Sequence, residues 1–99
     1  MGASTSTIQK TRVKVKEPKR YKVIMHNDDF TTMEFVVNIL MTVFKKDINT
    51  SNNLMMKVHK GGSAIVGTYS YDIAKSKMEK TTALARQEGF PFKVTIEVV

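Results

Sequence analysis

The sequence predicts a small α+β domain, a three-stranded sheet packed on one face by three helices in the order β-α-α-β-α-β. Three observations predict it. Short β-branched runs at Tyr21–Met25, Ser63–Tyr69 and Phe92–Val98 read as strands. Three longer stretches between them carry apolar residues at helical spacing. Chain breakers separate the pieces, with Gly61-Gly62 after the second helix and Gly89 and Pro91 after the third. Ninety-nine residues suit one domain with one core.

The elements follow in order. Residues 1–19 hold few large apolar side chains and read as a flexible basic arm closed by Pro18. A strand at 21–25 meets Asn27-Asp28-Asp29-Phe30, a polar turn. Thr31-Thr32-Met33-Glu34 then fits a capping box with Thr31 as the cap. Met33, Val36, Val37, Leu40 and Phe44 recur at helical spacing, widened by Ile39, Met41 and Val43. They predict a helix from Thr32 to about Lys46, the longest and most central of the three. Residues 47–53 read as a turn with Thr50 or Ser51 capping a helix to Lys60. The second strand carries Gly67, which marks a bulge or a close approach. Ser70 and Asp72 open a third helix to about Gln87. The last strand alternates strictly, with one face buried and one wet.

Charge and composition exclude several functions. The net charge is +7, but residues 1–20 hold six bases and one acid, while residues 21–99 hold ten and eight. The excess sits in the arm, and no aromatic residues interleave with it as a nucleic-acid surface requires. Without cysteine there is no disulfide framework or thiolate metal site. No run approaches the roughly 20 apolar residues of a membrane span. No phosphate-cradling glycine loop or nucleophile elbow is present.

One constellation carries chemistry. Asn27, Asp28 and Asp29 place two carboxylates and an amide at a strand-to-helix turn. Met55, Val58 and His59 share one face near the end of the second helix. The residues alone support helix capping first and a binding site second. Metal binding comes behind both, because no second His lies at ligand spacing. His59 alone reads as a surface or satisfied histidine.

A resemblance sharpens this. Tyr21-Lys22-Val23-Ile24-x-x-Asn27-Asp28-Asp29-Phe30-Thr31-x-Met33-Glu34-Phe35-Val36 resembles the signature of the ClpS adaptor family. The likeness continues through Met55-x-x-Val58-His59-x-x-Gly62, Gly67-x-Tyr69 and Pro91-Phe92, over about residues 20–99. The resemblance implies a protein without catalysis or cofactor. Such a protein binds the free N-terminus of proteins beginning with Leu, Phe, Tyr or Trp. It delivers them to a ClpA- or ClpC-type AAA+ unfoldase that feeds ClpP. It implies a monomer in the bacterial cytoplasm, the plastid stroma being the family's other setting. By the family's pattern Asn27, Asp28 and His59 hold the α-amino group. Asp29, Thr31, Met33, Val36, Met55, Val58 and Phe92 form the side-chain pocket, and Asp72 and Lys77 meet the unfoldase. On this reading Asp28→Ala nearly abolishes binding and leaves the melting temperature close to that of the native chain.

The chain departs from the family's pattern at Thr32, where Pro is usual, at Phe92, where Leu is common, and at His26, where an apolar residue is more usual. His26 either faces solvent or adds a pH-sensitive donor beside the amine site. The alternative function is a small ribosome- or RNA-associated domain that uses the basic arm.

Overall fold

The computed structural model of the chain describes residues 18–99. The predicted arm, all but Pro18 and Lys19, lies outside the described residues. Six elements follow: β1 (Arg20–His26), α1 (Met33–Thr42), α2 (Ile48–Gly61), β2 (Ser63–Ser70), α3 (Tyr71–Gln87) and β3 (Lys93–Val98). This is the predicted β-α-α-β-α-β order. Among the described residues no helix is long and apolar enough to cross a membrane.

The strands form one antiparallel sheet in the order β2-β1-β3, so the first strand is the central one. Its alternation decides which face is dry. Val23 and Met25 are fully buried, while Lys22, Ile24 and His26 point to the other face. Ala64, Val66 and Val94 join the buried side, and Ile96 packs against it. The helices complete the core with Val36, Ile39 and Leu40 from α1, Val58 from α2, and Ala74 and Ala85 from α3. Burying an aliphatic side chain of this kind contributes roughly 1.5–3 kcal/mol.

Gly67 marks a real bulge. Val23 pairs with Gly67 but Ile24 pairs with Ile65, so Val66 is an extra residue. The slip lets Tyr69 turn inward opposite Tyr21, behind Ala64 and Val66. The space a Cβ on Gly67 would need is filled by the Tyr69 ring, which any larger residue would force to shift.

Two helix boundaries differ from expectation. α1 stops at Thr42, well short of Lys46, and the 17-residue α3 is the longest helix, not α1. After α1 the chain turns through Lys45 at φ 57°, and the Lys46 N–H bonds the Leu40 carbonyl at 3.0 Å. Val43 and Phe44 are buried beyond the helix end, so the apolar stripe outlasts the helix. α2 begins three residues early. Its cap is Asp47, whose carboxylate accepts from the Thr50 N–H at 2.7 Å. Ser51, expected as a cap, is buried inside the helix.

Candidate functional site: the β1 turn and the end of α2

α2 ends at Gly62, whose φ of 89° reverses the chain and lets its N–H bond the Val58 carbonyl. The Gly62 carbonyl then accepts the Asn27 N–H at 2.8 Å. A second link runs from Asn27 Nδ2 to the His59 carbonyl at 3.4 Å. These two bonds bring the predicted amine-site residues Asn27 and His59 together across 32 residues of sequence. They engage the donor end of the amide. The Asn27 carbonyl oxygen is left without a hydrogen-bond donor among the described residues, and His59 is exposed.

Asp28 organises the turn itself. Its Oδ1 accepts the N–H of Phe30 at 2.8 Å and of Thr31 at 2.7 Å, and its Oδ2 accepts the Thr31 hydroxyl at 2.7 Å. A carboxylate has about four acceptor positions, so one remains open. Burial pushes the Asp28 carboxyl up, but the Thr31 and Phe30 hydrogen bonds and the Arg86 charge together outweigh it. The group is held below its ordinary value. These three hydrogen bonds argue that Asp28→Ala costs stability as well as binding, against the expectation from the sequence.

The same bonds correct the capping box. Thr31 turns back to Asp28, and Thr32 is the N-cap of α1, with its hydroxyl accepting the Phe35 N–H at 3.1 Å. Glu34 lies in the first turn, where a negative charge complements the helix dipole.

The seven predicted pocket residues divide. Val36, Val58 and Phe92 are core, 5%, 3% and 1% exposed, and the Phe92 ring meets Phe35 edge-on at 6.1 Å. Thr31 and Met55 are half-buried, and Asp29 and Met33 are exposed. Met33 and Met55 line an open groove of about 370 Å³ between α1 and α2, together with Glu34, Val37, Asn38, Met41 and Asn52. The sequence reading placed Val37 and Met41 in the helix's apolar stripe and missed this role. Their signal was the spacing of Met33, Val37 and Met41, one per turn.

Asp72 is exposed in the first turn of α3. Lys77 is committed within the fold. Its ammonium donates to the Val43 carbonyl at the end of α1 (2.8 Å) and lies 5.5 and 5.4 Å from the centres of the Phe44 and Tyr69 rings. His26 is on the outer face of the sheet, with Nε2 2.8 Å from the Thr95 hydroxyl.

Comparison with known proteins settles the lineage. The family model for the ATP-dependent Clp protease adaptor protein ClpS matches residues 16–95. The chain belongs to the ClpS family.

It is thus an adaptor of the Clp protease. The ClpS adapter protein of Nautilia profundicola is 47% identical over 95 residues, which cover 96% of this chain and 98% of that one. The ClpS adapter protein of Acetivibrio thermocellus is 44% identical over 97 residues, 98% of each chain. A structure of Agrobacterium tumefaciens ClpS2 bound to L-phenylalaninamide superimposes with a TM-score of 0.81 at 41% identity. It covers 84% of this chain and all of that one. The family match takes in every element, up to residue 95 within β3.

Proposed function

We propose that this chain binds the free N-terminus of proteins whose first residue is Leu, Phe, Tyr or Trp. It delivers them to a ClpA- or ClpC-type unfoldase feeding ClpP and carries out no catalysis itself. The observation that carries this reading is the pair of hydrogen bonds that joins Asn27 to the Gly62 and His59 carbonyls and leaves acceptors open at the β1 turn. Met33 and Met55 line a groove between the helices that flank this turn. An α-ammonium has three donors. The Asn27 carbonyl oxygen, the open position on Asp28 and a neutral His59 ring nitrogen supply three acceptors. The relative bound to L-phenylalaninamide supports it, since that ligand offers a free amine next to a large apolar side chain.

Binding then follows from known terms. Charge-assisted hydrogen bonds contribute roughly 1.5–3 kcal/mol each. Burying a Leu or Phe side chain against Met33 and Met55 contributes about 1.5–3 kcal/mol more. Ordering costs reduce the sum to micromolar-range affinity or tighter. The flexible thioethers let one wall adapt to aliphatic and aromatic side chains. Thr31 is held by Asp28.

The adaptor works as a monomer in the bacterial cytoplasm. Its basic arm, residues 1–19, is engaged by the unfoldase during delivery, and the Asp72 end of α3 meets the unfoldase's N-terminal domain. Lys77 contributes by fixing the end of α1 against that helix. The test is an anisotropy titration with a labelled peptide beginning in Phe, against its N-acetylated twin. The free peptide binds at least about tenfold more tightly, because acetylation removes the charge and two donors. Equal affinities would overturn the amine-site reading.

A further inference from the structure

A second groove lies on the other side of α2. Ile24 and Ile65 face each other across β1 and β2 on the outer face of the sheet, just before the bulge at Val66. Ile65 is 52% exposed. With Met56 of α2 these side chains floor an open groove of about 880 Å³, rimmed by Lys57, Lys60 and Ser63. No acidic residue lines it, and neither α2 nor β2 contains one. An apolar floor between two lysines at the edge of a sheet is unlike an ordinary solvated face. Bulges also concentrate where a strand re-aims side chains for function.

We propose that this groove docks a linear segment of a partner protein in which bulky aliphatic residues alternate with Asp or Glu. Charge complementarity selects this occupant. The chain's own arm carries Lys10, Arg12, Lys14 and Lys16 against Glu17, so its charge does not complement the groove's lysines. Nucleic acid would find the two lysines but no aromatic ring on which to stack a base. Lys60 follows His59 and Ser63 follows Gly62. The docked segment therefore lies beside the amine-binding turn without using its acceptors. This is a second contact for an adaptor that must hold two proteins at once, and it does not depend on the N-terminal specificity proposed above.

The probe is a fluorescein-labelled nonapeptide of alternating Glu and Leu, acetylated and amidated so that it has no free amine. Anisotropy with the full chain at low salt shows saturable binding. Lys57→Glu with Lys60→Glu weakens it about tenfold or more, and Ile65→Ser weakens it at unchanged charge. Asp28→Asn, whose side chain does not line the groove, and the arm variant Lys14→Glu with Lys16→Glu leave it within about twofold. Circular dichroism melts establish that each variant is folded. The proposal is overturned by an absence of saturable binding, or by arm variants that weaken binding as much as the groove variants. Equal binding of an all-Glu peptide, or of a nine-nucleotide RNA, would also overturn it.

Discussion

Asp28 holds the turn and, on the proposed reading, also faces the substrate's ammonium, and replacing it in two ways separates the two roles. Asp28→Ala removes the acceptors of three hydrogen bonds at 2.7–2.8 Å. Losing such a cap costs about 1–2 kcal/mol, which in a domain this size lowers Tm by about 4–16 °C. Asp28→Asn keeps one carbonyl oxygen for the Phe30 and Thr31 N–H groups. It loses only the charge and the Thr31 hydroxyl contact, at a cost below about 1 kcal/mol. Either change removes the negative acceptor that faces the ammonium, worth about 1.5–3 kcal/mol, or roughly ten- to hundredfold in Kd. Thermal melts and anisotropy with a Phe-initiated peptide measure both quantities. Asp28→Asn gives a near-native Tm with much weakened binding, and Asp28→Ala loses both. If Asp28→Asn bound within twofold of the native chain, the carboxylate would be a turn-forming group and nothing more.

Further outcomes follow from the same contacts. The folded Asp28 carboxyl lies below its ordinary value of 3.8, so its contribution to stability is complete above about pH 4 and fades as the pH falls through the lower folded value. Acid unfolding of Asp28→Asn is correspondingly less steep below pH 4. Peptide binding weakens above about pH 8 as the peptide's own α-amine loses its proton. Lys77→Met removes the bond to the Val43 carbonyl and two ring contacts and costs about 1–2 kcal/mol, read by urea denaturation. Gly67→Ala forces a methyl into the Tyr69 ring and costs about 1–3 kcal/mol in the same assay, with peptide affinity per folded molecule unchanged.

The fold was legible because local signals agreed with one another. Alternation marked the strands, helical spacing marked the helices, and Gly62 and Gly89, at φ 89° and 78°, ended two helices as glycine should. The errors lie where tertiary contacts override local pattern. Val43 and Phe44 look helical by spacing but are buried after α1 has ended, held by the left-handed turn at Lys45. Thr31 has a better partner in Asp28 than in the helix, which passes the cap to Thr32. At the site, the residue types and the shared face of Met55, Val58 and His59 were visible in the sequence. The link from Asn27 to the backbone of His59 and Gly62 was not, because a backbone acceptor has no sequence signature. Nor could spacing reveal that Lys77 turns inward onto Val43, Phe44 and Tyr69.

The central claim is that a free amine and its apolar side chain settle between the β1 turn and the end of α2. Amide chemical-shift mapping during a titration with L-phenylalaninamide tests it most directly. The account predicts saturable shifts concentrated at Asn27–Thr31, Met33 and Met55–Gly62, absent with the N-acetylated ligand. Shifts centred on the outer face of the sheet around Ile24 and Ile65, or equal shifts with the acetylated ligand, would contradict it.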